Sequence, residues 1–599
     1  MTLFAVAKTM VGLDWTMVGL FFLVLILIPT LASRKGASSS KEFFLSGRSM
    51  PWWLLGISMV AATTSTNSAN LFTELIRDKG GISGNWKWWA FLLTGMLTVF
   101  VYAKLWRRSG VTTDIEFYEL RYSGRPAALR RSFRGLSLSV LINLIVMAFV
   151  TLGAVKIGVI VFGVDPWLIY VVTTVSAIVY AAFGGLRGMV YTDLFLFALV
   201  MVGAVVSMVF ALGHVGGLHS LVEHAAVAPQ LNFFPDFAHA NTDLLIMIFI
   251  IPLAVQWWNV WWPGSEPGGG GYIVQRMLSA KNENHAVGAA LFFNVMNYAL
   301  RPWPWFIVGL ASIIVFPQLA DIKAAFPNVD PKLVGHDMAY PAMMTVIPSG
   351  WYGLTVASLM GALFSTLAAH INMGASYIVN DFYHRFMRPN AGERELVLAG
   401  RAASVVLIVT ACALAPFMQS ARVAMDLTML IGAGTGPIFL LRWFWMRINA
   451  WSEVAGMVSS FLAAAFLLFV WPACGGAPLA DWVQLLIVIG FTTVSWLAVT
   501  FLTSPTDAGT LARFRETVRA RGRDVGRGVL CMFLASVAIF AFMYAVGAWI
   551  YGWWMKAAAT TILSALVFGL LALTLRGRMD SRHPGGGHVR LAGRDRGVA

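Results

Sequence analysis

Residues 361–383 read GALFSTLAAHINMGASYIVNDFY, an apolar run of helical length that also carries hydroxyl, amide and imidazole side chains. Polar atoms inside a bilayer are unfavourable unless they bind a partner. Ala362, Ser365 and Thr366 stand at positions i, i+3 and i+4, so two hydroxyls and a nearby backbone carbonyl can share one helix face. A small hard cation prefers several oxygen ligands, and neutral oxygens bind it weakly enough to release it. The spacing therefore predicts half of an alkali-cation site; the alternative is that the hydroxyls bond to carbonyls one turn earlier.

The composition places the chain in a membrane. Of its 599 residues, 58% are hydrophobic and only 12% are charged, which is typical of a polytopic helical membrane protein. The longest stretches between apolar runs, 213–242 and 316–349, are too short for a soluble domain of ordinary size. The function is therefore expected within a bundle of membrane helices.

Apolar runs of the length of membrane-spanning helices recur along the chain, and they predict about 15 transmembrane segments. They cover residues 13–33, 52–76, 84–106, 135–162, 166–184, 190–212, 243–262, 285–315, 350–383, 398–418, 425–446, 451–472, 482–503, 528–551 and 557–575. Cys412, Cys474 and Cys531 are odd in number and scattered. A disulfide framework and a cysteine metal cluster are therefore excluded.

The net charge of +15 is distributed as in a membrane protein rather than a nucleic-acid binder. With the N-terminus outside, most Lys and Arg residues fall in cytoplasmic loops and in the tail, as the positive-inside bias predicts. Arg513 to Arg527 supply six of these charges, and contact with anionic lipid accounts for such clusters. Arg34 and Lys35 follow the first run, which is the reverse of a cleavable signal peptide. We expect an integral protein of the bacterial inner (plasma) membrane with a cytoplasmic C-terminus.

Four segments carry a resemblance to a known family. Residues 364–383, FSTLAAHINMGASYIVNDFY, resemble without a gap the eighth core helix of the sodium/solute symporter family, which contains sugar, proline, pantothenate and sialate carriers. Residues 58–65, SMVAATTS, look like the first core helix, and residues 184–193, GGLRGMVYTD, are similar to the fifth-helix signature. Residues 272–286, YIVQRMLSAKNENHA, look like the cytoplasmic end of the sixth. The combination is specific because the segments occur in the family's order.

The resemblance implies an all-α fold, a polytopic helical bundle whose runs two to eleven form two inverted repeats of five helices. It divides the chain into an extra N-terminal helix and loop at 1–50, a ten-helix transporter core at 51–448 and further membrane helices at 449–576. The basic, glycine-rich tail at 577–599 has a composition typical of disorder.

The resemblance also implies a sodium site. Carried over by position, the family's backbone-carbonyl ligands fall on Ala61 and Thr64, which would complete a site with Ala362, Ser365 and Thr366. Carbonyls freed at a helix break bind coupling ions in carriers. We therefore expect the second run to unwind within residues 61–70, AATTSTNSAN, although no Gly or Pro marks the break.

Asp193 is expected in the ion pathway. On resemblance, its carboxylate steers or indirectly stabilises the cation, and a structural salt bridge with Lys156 or Arg187 is the alternative. Lys156 lies deep in the fourth run, where it needs a carboxylate, a water or a solute as its partner.

The solute is expected beside the cation, among Ser68, Lys87, Asn259, Trp261 and Arg301. Aromatic faces with one amide suit a polar organic solute, and aromatic-belt placement is the alternative for the tryptophans. Arg301 aligns with a position where sugar carriers use Lys, and its planar fork could bind a carboxylate or vicinal hydroxyls. Sugar carriers place a Glu at the position of Lys87, so Lys87 argues against a plain neutral sugar; its alternative is to snorkel towards the membrane surface.

Together these features predict a carrier that uses the inward sodium gradient to import a small polar solute by alternating access. A sugar or sugar acid is favoured; an amino acid or organic acid, or a membrane sensor on the same bundle, is the alternative. An enzyme is not expected, because no nucleophile–base pair, HExxH motif or paired catalytic carboxylates occur at recognisable spacing. Sodium is the expected coupling ion and no other cofactor is expected. The expected partners are the solute, sodium and membrane lipids, without nucleic acid.

Overall fold

The structure is a computed structural model that describes residues 8–33, 40–78, 80–124, 141–237, 242–260, 266–327, 329–330, 334–418, 421–519 and 522–580. Within these ranges ten helices are long and apolar enough to cross a membrane, and four shorter apolar helices accompany them. The β-type pairing in the same ranges is one isolated parallel bridge between Met50 and Ala280. The predicted all-α membrane bundle is confirmed.

The membrane helices are numbered here in chain order. The first group comprises α1 (Gly12–Ser33), α2 (Trp52–Thr63), α3 (Thr66–Asp78), α4 (Gly81–Ser109), α5 (Asn143–Phe162) and α6 (Pro166–His214). The second comprises α7 (Thr242–Gln256), α8 (Gly271–Leu278), α9 (Glu283–Val315), α10 (Trp351–Met387), α11 (Glu393–Phe417), α12 (Ala421–Ile431) and α13 (Gly436–Leu441). The last comprises α14 (Ala450–Ala473), α15 (Asp481–Leu502), α16 (Gly522–Ile550) and α17 (Trp554–Asp580). Shorter connecting helices include Ser40–Leu45, Phe117–Arg121, Gly217–Glu223, Leu319–Ala325, Ala339–Met344 and Ala508–Val518.

Each half of the core opens with a broken helix. In the first half α2 ends at Thr63 and α3 begins at Thr66, which confirms the break expected within residues 61–70. In the second half α7 ends at Gln256 and α8 begins at Gly271, after Gly268 and Gly269 adopt φ of +82° and +95°. Glycine tolerates this left-handed backbone at little cost. A discontinuous helix at the same position of both halves is the pattern of an inverted-repeat carrier.

The helix α6 joins two runs that were expected as separate segments, 166–184 and 190–212. Helical bonding continues over its 49 residues, although a straight helix of that length would measure about 74 Å at 1.5 Å per residue. Thr173, near its start, lines a cavity together with Leu359. Gly203 approaches the neighbouring Ser358 so closely that a Cβ there would lie 2.0 Å from the hydroxyl oxygen. Both halves of α6 therefore lie beside one turn of α10, and the total of fifteen crossings stays a prediction.

The central element is α10. Over Trp351–Ser376 most of its side chains are buried, because α1, α2, α5, α6 and α11 all pack against it. The first turn of α10 is tied to α1 by Asp14, whose Oδ1 accepts hydrogen bonds from the backbone N–H groups of Gly350 and Gly353 at 2.6 and 2.8 Å. The polar positions of α10 are therefore held within a packed environment.

An ion pair secures the connection between α9 and α10. Lys156 Nζ on α5 lies 2.7 Å from Asp337 Oδ2, and the two side chains are only 5% and 12% exposed. The expectation that Lys156 needs a partner is confirmed, and the partner is a carboxylate. Arg77 at the end of α3 donates to the carbonyl oxygens of Ser312 and Phe316 at 2.7 and 2.5 Å, which closes the end of α9.

We predict that Lys156→Met lowers the stability of the protein more than the double variant Lys156→Met/Asp337→Leu. Removing one partner of a buried pair leaves an uncompensated charge, at about 3–5 kcal/mol, whereas removing both is often close to neutral. Thermal denaturation in one fixed detergent measures the midpoints of the single and double variants. Equal loss in both would show that the pair does not act as a unit.

Candidate functional site

The break between α2 and α3 faces the middle of α10. Thr64 has an extended backbone, with φ −97° and ψ 95°, so helical bonding stops there. Its carbonyl oxygen accepts a hydrogen bond of 3.1 Å from Thr366 Oγ1. The Ala61 carbonyl accepts from the Thr64 N–H at 3.0 Å. Because a carbonyl oxygen has two lone pairs, both oxygens keep the capacity to bind a cation.

Ser365 is connected to a carboxylate. Its hydroxyl donates to Asp193 Oδ1 at 2.7 Å, and the Ser58 hydroxyl donates to Asp193 Oδ2 at 2.5 Å. A hydroxyl that donates its proton in this way presents its lone pairs elsewhere. Asp193 therefore orients one of the predicted sodium ligands, and all three side chains are buried.

Asp193 also has a cationic neighbour. Arg276 on α8 donates from Nε to Ser58 Oγ at 2.9 Å, and its Nη2 lies 3.6 Å from Asp193 Oδ2. The salt bridge considered for Asp193 thus exists, but its partner is Arg276, whereas Lys156 pairs with Asp337. The ion-pathway role of Asp193 stays a prediction.

Two hydroxyls of α10, those of Ser365 and Thr366, reach other helices instead of their own backbone. Ser365 donates to α6 and Thr366 donates to the helix break. The alternative of bonding one turn back along α10 therefore does not describe these two residues. Ala61, Thr64, Ala362, Ser365 and Thr366 are at most 4% exposed, and their neutral oxygens are the ligand type that a weakly held alkali cation requires.

A cavity of about 140 Å³ adjoins this break and is lined by Ser68 and Arg301, among others. Arg301 Nη1 donates to Thr64 Oγ1 at 2.7 Å, and its guanidinium lies over the rings of Phe72 and Trp305, at 5.8 and 6.0 Å from their centroids. Its Nε is buried without a hydrogen-bond partner in the described structure. The cavity therefore offers a planar cation, a hydroxyl and aromatic faces to a polar solute.

Of the other three residues predicted to bind solute, Lys87 and Asn259 do not line this cavity. Lys87 Nζ lies 2.6 Å from Asp426 Oδ1, and both residues line a separate cavity of about 300 Å³. Asn259 follows α7 and is fully buried, with neither side-chain amide atom bonded to a described residue. Trp261 lies outside the described residues. The structure brings together Ser68 and Arg301, and the roles of all five residues stay predictions.

Three residues that contact predicted site residues were not predicted themselves: Ser58 and Arg276 belong to the buried network around Asp193, and Asp426 pairs with Lys87. Arg276 lies within the quoted segment 272–286, and Ser58 opens the segment 58–65. An arginine in an apolar segment of a membrane protein is a candidate functional residue, so Arg276 could have been predicted from the sequence. Asp426 could not be found as the partner of Lys87 from the sequence, because the pairing joins residues 339 positions apart.

Comparisons with known proteins agree with this geometry. The profile described as "Sodium:solute symporter family" matches residues 43–459. A sodium/glucose cotransporter of Vibrio parahaemolyticus is 27% identical over 455 residues, which cover 73% of this chain and 81% of that protein. A sodium/mannose cotransporter of Bos taurus is 27% identical over 500 residues, covering 77% and 80%. The solved structure of a Na⁺-coupled sialic acid symporter superposes with a TM-score of 0.67 at 18% identity, over 83% of this chain and 99% of that one, and shows the same fold.

We predict that Ser365→Ala and Thr366→Ala each weaken sodium binding about fivefold, since each removes one oxygen ligand at a cost of about 1 kcal/mol. Sodium that binds the folded state raises the denaturation temperature with concentration. The measurement is thermal denaturation in sodium chloride titrations, with choline chloride keeping the ionic strength constant.

The matched control is Ser358→Ala on the same helix, whose hydroxyl bonds back to the Thr355 carbonyl at 2.7 Å. Its sodium response should equal that of the unmodified protein. If both ligand variants also keep the unmodified response, Ser365 and Thr366 are not part of the cation site.

Proposed function

The chain belongs to the sodium:solute symporter family, and from this premise we propose that it imports a sugar or sugar acid by alternating access. It is an integral membrane transporter whose coupling ion is sodium. The observation that carries the proposal is the position of Thr64. Its hydroxyl binds Arg301 in the solute cavity, while its carbonyl binds Thr366 on the cation side.

For the cation, we propose the five oxygens of Ala61, Thr64, Ala362, Ser365 and Thr366. The support is the helix break, the bonds that orient both hydroxyls, and the burial of all five residues. Asp193 is then an orienting residue in the ion pathway, because its carboxylate fixes the Ser365 hydroxyl. Sodium moving inward through a membrane potential supplies about 2.3 kcal/mol per 100 mV, enough to drive accumulation of a solute.

For the solute, we propose direct contact with Arg301 and Ser68. No carboxylate of the described residues lies within ion-pair distance of the Arg301 guanidinium, although Arg301 is only 3% exposed. A buried cation without a counter-charge is unfavourable, so an anionic group on the solute would satisfy it. This favours a sugar acid over a neutral sugar, whereas the cotransporters of glucose and mannose among the relatives favour a sugar scaffold.

Coupling follows from the shared residue. When a solute binds Arg301, the hydrogen bond from Arg301 Nη1 to the Thr64 hydroxyl changes. The carbonyl of Thr64 is one of the proposed cation ligands and accepts a hydrogen bond from Thr366. A positioned ion and a positioned solute therefore stabilise one conformation of the break. Two ligands that favour the same conformation raise each other's affinity reciprocally.

We predict that a sodium gradient drives uptake of a carboxylated sugar into proteoliposomes, and that Arg301→Gln weakens this uptake about tenfold or more, because a charge-assisted pair is lost. The matched variant Arg301→Lys keeps the charge but loses the planar fork, so it should retain an intermediate affinity. Uptake is measured for a sugar acid and its neutral parent sugar, with sodium or choline outside.

If Arg301→Gln weakens uptake of the neutral parent sugar equally, Arg301 binds the solute but does not recognise a carboxylate. Sodium-driven uptake of amino or organic acids, with none for sugars, would replace the proposed substrate class. If ligands stabilise the protein but no solute accumulates, a sensor is the better description.

For the orientation, we propose an external N-terminus and a cytoplasmic C-terminus. The support is the concentration of arginine on one side, including Arg513 to Arg527 between α15 and α16. Under this topology the turn between α14 and α15 is external. Cys474 lies in that turn and is exposed, whereas Cys412 and Cys531 are buried.

We predict that a membrane-impermeant maleimide labels Cys474 in intact cells, since an exposed thiol can reach its thiolate form and react. The variant Cys474→Ser is the matched control and should abolish the labelling. Labelling that requires permeabilised cells would reverse the proposed orientation.

A further inference from the structure

A second type of cavity lies beneath α1, and none of the proposed cation and solute residues among the described ones lines it. It has a volume of about 280 Å³ and is walled by α1, α3, α5, α6 and α10. Its polar side chains are two threonines, Thr66 and Thr173. Thr66 already donates to the Val150 carbonyl at 3.4 Å. The remaining lining is apolar, and an apolar cavity of even about 150 Å³ stays dry and accepts an apolar ligand.

The cavity is continuous with the surface that faces the bilayer. Trp15 on α1 and Leu168 and Val172 on α6 line it, yet these side chains are 52%, 52% and 46% exposed. In a membrane-spanning protein, exposed apolar side chains of this kind contact acyl chains. The inner wall includes Leu359 and Leu363 of α10, which are each only 4% exposed. A path therefore leads from the lipid-facing surface to the interior.

We propose that one acyl chain of a membrane phospholipid occupies this cavity. Among the described residues, the lining has no charged side chain to hold a headgroup, so the headgroup stays at the membrane surface while the chain enters. A chain in the cavity gains dispersion contacts that an empty space would forfeit. The occupant is therefore an apolar chain drawn from the surrounding bilayer.

The occupant would contact the element that carries the cation ligands. Leu363 and Phe364 line the cavity and directly precede Ser365. Phe364 also packs on Phe21 and Phe22 of α1, with ring centroids 6.2 and 6.1 Å apart. The chain thus packs α1, α5 and α6 against one turn of α10. The proposal is independent of which solute is carried.

The test uses the full-length chain in bilayers that contain a phospholipid with a diazirine near the end of one acyl chain. After illumination, peptide mass spectrometry locates the adducts. We expect adducts on the buried Leu359 and Leu363, which a lipid chain can reach only through the cavity. Val171 and Val175 are 56% and 55% exposed and report ordinary lipid contact.

Filling the cavity supplies the matched comparison. Ala154→Phe should reduce the adducts at Leu359 and Leu363 about tenfold, the effect of about 1.4 kcal/mol, while Val171→Phe on the exposed face should leave them unchanged. Ala154→Leu is a smaller change that fills part of the space if the phenylalanine variant does not fold. Retained stabilisation by sodium shows that each variant is folded.

Adducts confined to Val171 and Val175, or equal labelling of Leu359 in the filled and unfilled proteins, would overturn the proposal. Labelling of Leu359 by a photoreactive free fatty acid, with none by the phospholipid, would also overturn it. None of these results bears on sodium-driven uptake, so the lipid site and the proposed transport function fail separately.

Discussion

The hydrogen bond from the Thr366 hydroxyl to the Thr64 carbonyl joins an interrupted helix to a continuous one. Inside a bilayer every backbone polar group needs a partner, so a helix can break only where other groups satisfy the freed carbonyls. Here α10 supplies a hydroxyl and α9 supplies Arg301, which binds the Thr64 side chain. The burial of α10 by its neighbours meets this requirement, because only a fixed helix keeps the Thr366 hydroxyl within bonding distance of the Thr64 carbonyl.

The carboxylate of Asp193 on α6 connects three helices, α2, α8 and α10, beside the break. Asp193 on α6 receives hydroxyl hydrogen bonds from α2 and α10, and Arg276 on α8 lies within ion-pair distance. α2 and α8 are halves of the two broken helices. A rearrangement that moved either half would change the environment of Asp193 and so the orientation of Ser365. At the proposed cation site, this would link conformation and cation affinity through a single buried group.

The sequence predicts the fold well because hydrophobic runs and the family segments report local structure. The break at Thr64 was expected only by resemblance, since helix-breaking residues are absent and the break depends on contacts with α9 and α10. Thr366 was expected near Thr64 and is there. The partner of Lys156 could not be predicted from the sequence. Lys156 and Asp337 are 181 residues apart, and several other carboxylates were equally possible partners. The surroundings of Lys87 were likewise set by tertiary packing.

The buried cationic side chains differ in the partners that the protein provides for them. Lys87, Lys156, Arg276 and Arg442 each lie within ion-pair distance of a carboxylate. Arg121 is fully buried but donates to the carbonyls of Arg442, Trp445 and Ile448, which stabilises the end of α13. Arg301, by contrast, has no carboxylate within ion-pair distance among the described residues, and its one hydrogen bond within them is to the Thr64 hydroxyl. A guanidinium with few partners at a cavity wall is unfavourable in the protein alone, and the solute contact proposed above would supply the missing partner.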